Sequence, residues 1–271
     1  MSDWASTDPR AVGARLARAL ALPALLLGML EVWARTVGQH SDALAAPSAA
    51  AWALVRAAGD GSLWSATAFT LASASVGLLI AGLLGVGLGV LLGLSRPLAR
   101  AAFLSVELLR PVPSVALIPL AMLAFGFGLS MEVAVVAFAC FWPMLVLTQA
   151  AVRQVEPQLL ELARALELSP WQRFAKIVLP AITARLFVAL RLATAIALVV
   201  AVTVEIAANP SGMGYAMMIA QQSLDPALML AWLLWLGLVG WVVNALTLRV
   251  QRAVARRMGS EMRDGAGAAG T

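Results

Sequence analysis

Long apolar stretches separated by short polar segments set the plan of this chain. A helix that crosses a membrane needs about 20 mostly apolar residues. Six stretches meet that requirement, over about 19–37, 66–94, 101–127, 131–151, 177–207 and 226–248. The second carries no charge at all, and the third is interrupted by Arg110-Pro111-Val112-Pro113. The fourth contains Pro143, the fifth Arg191 and Glu205, and the sixth Asn244 near its end. The pattern predicts an all-α polytopic membrane protein with six transmembrane helices. Residues 1–18 read as a cytoplasmic segment, 19–257 as the transmembrane domain with a long loop at 152–176, and 258–271 as a disordered tail. The first stretch lacks a convincing small-residue cleavage site, so it is expected to persist as a helix.

Composition supports this plan. Of 271 residues, 62% are hydrophobic and 12% charged. Soluble proteins average roughly 45–50% and about 25%. So little charge excludes disorder, and a single cysteine, Cys140, excludes a disulfide framework. The net charge of +5 would suit nucleic acid if the basic residues formed a patch. They do not. With the N-terminus inside, 14 basic residues fall in inner segments and two, Arg35 and Arg56, in outer ones. This positive-inside bias places both termini in the cytoplasm and explains the charge by topology.

Several features stand out from the apolar background. Gly77, Ala81, Gly85, Gly89 and Gly93 recur every four residues in the second span. Small residues so spaced let helix backbones approach closely, within the subunit or with a partner. Prolines at 111 and 113 break the third span, and the break either lines a wet pathway or lets Arg110 snorkel to water. Pro111, Pro113, Ser114 and Arg110 are therefore candidate pathway residues, together with Arg191 and Glu205. Fourteen residues of helix span about 21 Å, so Arg191 and Glu205 do not pair on one straight helix. Interfacial solvation is the plain account of Glu205. Outside the spans, residues 47–58 read as a short amphipathic helix on the outer surface, and 208–225 as an outer loop holding Ser211-Gly212-Met213-Gly214-Tyr215.

The inner segment 152–176 is the most informative. Leu159, Leu162, Ala163 and Leu166 share one helical face. Ser169-Pro170 begins a second short helix, serine as cap and proline at the first helical position, followed by Trp171, Phe174 and Ile177 at three-residue spacing. Two amphipathic helices outside the bilayer either dock another protein or pack under the chain's own spans or on lipid headgroups.

This segment resembles the cytoplasmic loop of permease subunits of binding-protein-dependent ABC importers. Glu161, Ala163, Ile177, Leu179 and Pro180 match the family pattern at the right spacing. Leu162 stands where the pattern has alanine, and Glu167 where it has glycine. Leu109–Pro113 followed by Ala116–Leu120, Phe125–Gly128, and Glu205 through Tyr215 are similar to the nitrate/sulfonate/taurine branch, as is Pro47-Ser48. The resemblance implies a type I importer transmembrane-domain (MetI-like) fold in the cell inner membrane. It also implies a second copy of the permease, two ATP-binding subunits that carry ATP and magnesium, and an extracytoplasmic substrate-binding protein. The docking residues would be Glu161, Ala163, Arg164, Glu167, Leu168, Ser169, Trp171 and Phe174. Spans three and five would line the path of a small anion such as an aliphatic sulfonate, taurine or nitrate. Ser211, Gly212, Gly214 and Tyr215 would form an outer loop motif.

Other classes fare worse. The chain has no phosphate-loop motif, and its one lysine, Lys176, follows no glycine-rich run. Its one histidine, His40, lies in an outer loop, so neither a nucleophile–base pair nor a metal cluster is expected, and no cofactor is assigned to the chain itself. An ion-coupled secondary transporter is the alternative. It would use charges such as Arg191 and Glu205, but the internal repeat common in such proteins is not visible.

Overall fold

The computed structural model describes residues 21–22, 25–26, 28–36 and 45–268, without the side chains of residues 160, 164, 170, 255 and 257–268. The described chain is helical throughout. After helical residues 28–36 come α1 (Pro47–Gly59), α2 (Ser62–Leu94), α3 (Arg96–Leu109), a 3-10 turn (Ser114–Leu117) and α4 (Ile118–Phe125). Then follow α5 (Leu129–Arg153), α6 (Pro157–Ala165), α7 (Pro170–Arg173), a π-helical turn (Phe174–Val178) and α8 (Leu179–Ala207). The last two are α9 (Met213–Gln222) and α10 (Pro226–Ala268). Four helices are long and apolar enough to cross a membrane among the described residues, or five if the bent pair α3 and Ser114–Phe125 counts as one span. The first predicted span, 19–37, lies partly outside the described residues.

The helices group into two compact units, residues up to Leu63 with Met217–Trp235, and Trp64–Ala216 with Leu236 onward. In the first unit, α1 buries Ala50, Ala53 and Ala57 on one face. Ala50 and Ala53 pack against Leu228, Leu230 and Ala231 in the first turns of α10, while Trp52 and Val55 point outward. The amphipathic helix read at 47–58 thus has an intramolecular partner for its small-residue face. Ser48 anchors its start, donating to Glu31 from its backbone N–H at 2.9 Å and its hydroxyl at 2.6 Å. Arg35 pairs with the same carboxylate at 2.5 Å. At the far end, side-chain and backbone hydrogen bonds from Ser62 hold the Asp60 carboxyl below its ordinary value.

The second unit is built on α2, α5 and α8. The small-residue stripe of α2 lies against α5. A methyl group added at Gly77 would sit 2.6 Å from Val136, at Gly85 2.7 Å from Met144, at Gly89 2.7 Å from Thr148, and at Gly93 2.6 Å from Val152. The seam is therefore internal to the chain. The core beside it joins Ala74 and Ala81 of α2, Ile118 and Ala121 of α4, Met131, Val135, Val136, Cys140 and Met144 of α5, and Ala189, Ala193, Ala197, Val200, Ala201 and Val204 of α8. In hydrocarbon the gain from such a core is close packing and not water release, which explains the run of alanines where α8 touches α5.

Three predicted elements differ from their expectation. The third span is not one kinked helix. α3 and the helix Ser114–Phe125 are bent by 83° at residues 110–113. Pro111 and Pro113 have no N–H to continue the helix, and the chain turns instead, with Val112 N–H donating to the Leu109 carbonyl at 3.2 Å. The fifth span does not start at Ile177. One helical run from Trp171 to Ala207 joins the inner loop to the span. The sixth continues past Leu248 to Ala268 because Arg249, Arg252 and Arg256 extend it as a charged helix, so residues 258–268, expected as part of a disordered tail, are helical. Between α4 and α5, Gly126 and Gly128 have φ of +72° and +110°. Only glycine adopts these angles without steric cost, so the Phe125–Gly128 motif is a backbone requirement.

Candidate functional site

The inner loop is built by its caps. Helix α6 ends in a left-handed turn. Leu168 N–H reaches back to the Ala163 carbonyl at 3.1 Å and Leu166 N–H to the Leu162 carbonyl at 2.9 Å, which places Glu167 at φ +50°. This is a Schellman-type end, whose left-handed position is usually glycine. The next helix starts on a reciprocal cap. Gln172 N–H donates to Ser169 Oγ at 3.3 Å, and Ser169 N–H donates to Gln172 Oε1 at 3.0 Å, with Pro170 at the first helical position, where no donor is needed. Ala163 is buried, whereas Leu162, Leu166 and Trp171 are exposed at 51%, 59% and 73%. Glu161, Glu167 and Ser169 are exposed as well, and Leu168 is half-buried. Phe174 turns inward against Val90, Val152, Val155 and Ile182. Ile177 is half-buried, and Leu179 and Pro180 lie on the outside of the joint. The loop thus presents a leucine–tryptophan face and tucks its phenylalanine under the spans.

At the other end of the same unit lies a buried polar cluster. Glu132 and Glu205 have no exposed surface, and their carboxyl groups face one another. Thr70 Oγ1 donates to Glu205 Oε1 at 2.6 Å and accepts from Met213 N–H at 3.0 Å. Gly214 N–H donates to Glu205 Oε2 at 2.7 Å. The Ser73 hydroxyl donates to Glu132 Oε1, and the Asn209 amide donates to Glu132 Oε2. Glu205 therefore meets the first N–H groups of α9, where the unpaired donors and the helix dipole favour an anion. Glu132 lies in the first turn of α5 and gains the same way. The loop glycines are obligatory here. Gly212 has φ +95°, and a methyl group on it would run into the Glu205 carboxylate. One on Gly214 would run into the Val202 carbonyl. Ser211 and Tyr215 are half-buried at the edge of the turn.

The break between α3 and α4 borders a cavity of about 430 Å³, lined by Arg110, Val112, Ser114, Phe138, Trp142, Leu192 and Ile196 among others. Arg110 is half exposed and lies 3.8 Å from Glu107 one turn earlier. Pro111 and Pro113 are exposed at the corner. Arg191, on α8 next to Leu192, donates from Nε to Asn244 Oδ1 at 3.1 Å.

The family model for the inner membrane component of binding-protein-dependent transport systems matches residues 85–260. The chain belongs to this family. The permease is 31% identical to the riboflavin transport system permease protein RibX of Chloroflexus aurantiacus, over 88% of this chain and 90% of that one. It is 30% identical to the aliphatic sulfonates transport permease protein SsuC of Escherichia coli, over 80% and 83%. With the nitrate import permease protein NrtB of Leptolyngbya laminosa it shares 29% over 69% and 67%. In fold it is similar to an inward-facing MetNI methionine ABC transporter, with a TM-score of 0.63, 21% identity, and 75% of this chain and 96% of that chain covered. It is a transport permease of the sulfonate, nitrate and bicarbonate branch.

The permease's candidate residues separate into distinct places. The coupling-loop set lies together, as does Glu205 with the Ser211–Tyr215 motif. Arg110 and Ser114 share a cavity that Arg191 does not line. Glu205 is not solvated at an interface. It is fully enclosed and hydrogen bonded. Sequence reading missed Glu132, Thr70, Ser73 and Asn209. Glu132 had a signal, being a carboxylate at the start of the apolar fourth span, where charge is costly. The hydroxyls carried none, since Ser and Thr are common in membrane helices.

Proposed function

We propose that this permease forms the path of a small anionic solute through the inner membrane and is driven by a partner ATPase that docks on the α6–α7 loop. The observation that carries this reading is the loop itself. It is a doubly capped pair of short helices whose Leu162, Leu166 and Trp171 face outward, and whose second helix runs into α8 without a gap. A push on that face moves a span. The working unit is two copies of the permease, two ATP-binding subunits holding ATP and magnesium, and an extracytoplasmic binding protein. Six spans follow from the apolar stretches of the sequence, and cytoplasmic termini from the positive-inside bias. The sulfonate, nitrate and bicarbonate relatives favour a small oxyanion, and Arg110 with Ser114 on the 430 Å³ cavity suits one. The riboflavin relative argues that the binding protein sets the final choice. The ion-coupled alternative loses its two charges to local partners, Glu205 to Thr70 and Gly214, and Arg191 to Asn244.

The test is Glu161→Lys in the reconstituted importer. Glu161 is exposed at the start of the docking face. Membrane insertion should be unchanged, while substrate-stimulated ATP hydrolysis should fall roughly tenfold or more, as expected when a charge on a docking face is reversed and loses its complementarity. Wild-type stimulation in this variant, or uptake by the permease alone driven by an ion gradient, would reject the proposal.

A further inference from the structure

A second cavity, of about 960 Å³, opens at the end of the bundle away from the carboxylate cluster. It is lined by Gly93, Leu94, Arg96, Arg100, Val152, Arg153, Val155, Pro157 and Arg173. Four of these nine residues are arginines and none is acidic. None of the four is in an ion pair with a carboxylate among the described residues. Arg173 Nε is enclosed and has no acceptor among the described residues. A buried donor left unmet is a costly feature that calls for a partner, and Arg96, Arg100 and Arg153, exposed at the mouth of the same space, add a positive potential that favours an anion.

The surroundings fit one kind of anion. Gly93, Leu94, Val152 and Val155 make an apolar floor at the ends of α2 and α5, two membrane-spanning helices. Arg96 and Arg100 begin α3, whose Phe103, Leu104 and Leu108 are each about two-thirds exposed, at 65%, 65% and 64%. Cations at one end of a helix and bare apolar side chains beyond them are arranged as a lipid is, headgroup first and acyl chain after. Basic pockets between the cytoplasmic ends of transmembrane helices suit phosphate headgroups, and arginine's planar fork matches phosphate oxygens in pairs.

We infer that this cavity binds the phosphate headgroup of an anionic phospholipid, held by Arg96, Arg100, Arg153 and Arg173. The site shares no lining residue with the cavity at Arg110 and Ser114 and does not include Leu162, Leu166 or Trp171. It adds a lipid requirement to whatever the permease transports.

The test uses the full chain purified in mild detergent, titrated with phosphatidylglycerol or phosphatidylcholine and followed by thermal unfolding. The wild type should be stabilised by phosphatidylglycerol and not by phosphatidylcholine. Arg100→Gln with Arg153→Gln should weaken phosphatidylglycerol roughly thirtyfold, at about 1 kcal/mol per arginine. Should that pair fail to survive purification, Arg100→Gln alone, at an exposed position, carries the test with roughly a fivefold loss. Equal response to the two lipids, or unchanged affinity in the variants, overturns the inference. If inorganic phosphate alone reproduces the whole shift, the ligand is a soluble phosphate and the lipid assignment falls. If the variants bind lipid normally but lose the ATPase in co-purification, the arginines face an acidic protein surface and the inference is overturned. None of these readouts depends on transport, so failure here leaves the importer proposal standing.

Discussion

Glu167, where the inner-loop pattern that this chain resembles has glycine, sits at φ +50°. A residue with a Cβ pays roughly 1–2 kcal/mol in that conformation. The six-to-one bond from Leu168 to Ala163 holds the turn regardless. Glu167→Gly is therefore expected to raise stability by about 1 kcal/mol and to leave ATPase docking intact, as read by thermal unfolding and co-purification. The carboxylate cluster makes a harsher prediction. Glu205→Ala leaves Gly214 N–H without its acceptor, which costs about 1–3 kcal/mol for a buried group, and leaves the Thr70 hydroxyl only its longer bond to the Ala66 carbonyl. Gly214→Ala should cost a comparable amount through collision with Val202. Both variants should make the 208–215 loop more sensitive to protease from outside. Equal resistance would show that the loop is held by something other than this cluster. The motif around Ser211–Tyr215 was legible as a family signature. Its reason was not, because besides nearby Glu205 the groups it binds lie 77 and 143 residues away in the chain, at Glu132 and Thr70.

At the scale of elements, periodicity was the most readable signal. The four-residue spacing of small residues announced a close seam, and α2 does approach α5 along that stripe. Its registry yields a paired test. Gly85→Ala places a methyl 2.7 Å from Met144, whereas Gly87, in the same helix, has nothing within 4 Å. The first should destabilise by about 1–3 kcal/mol. The second should be neutral or stabilise by up to about 1 kcal/mol from helix propensity. Unfolding in mixed detergent micelles compares them directly, and equal effects would remove the seam. The cap of α7 was legible from Ser169-Pro170 alone, because capping chemistry is local. The partner residue Gln172 lies within the same turn. The 83° bend was only half legible. Proline at 111 and 113 marks a break, but the angle of a break is set by what α4 packs against, here α5 and the shared core that Ile118 and Ala121 join. The end of the sixth helix was misplaced because hydropathy marks where the membrane stops, and helical backbone continues beyond it.

For the whole molecule, the balance of 14 inner basic residues against two outer ones predicts the orientation. A cysteine at Ser211 should react with a membrane-impermeant maleimide added from outside and not from the cytoplasm. The one native cysteine, Cys140, is buried, so background labelling is low. Labelling from the cytoplasm would invert the topology and with it the docking assignment. Overall helical class and family were legible because both rest on local patterns repeated along the chain. The interior carboxyl cluster was not, since it exists only once three distant helices are side by side.

The π-helical turn at Phe174–Val178 has a geometric consequence of its own. A π turn holds one residue more than the α-helix it interrupts, and each residue advances a helix by about 100° and 1.5 Å. The number of residues between Ser169 and Leu179 therefore works as a phase setting. It fixes the compass bearing of Trp171 relative to the span that follows, much as the spline count of a shaft fixes the angle of its coupling. Removing one residue from 174–178 would let the joint relax into plain α-helix at nearly the same bearing, whereas inserting one without a further π turn would swing the tryptophan by about 100°. Every interior contact of α8 could survive that change, and the drive would still be delivered in the wrong direction.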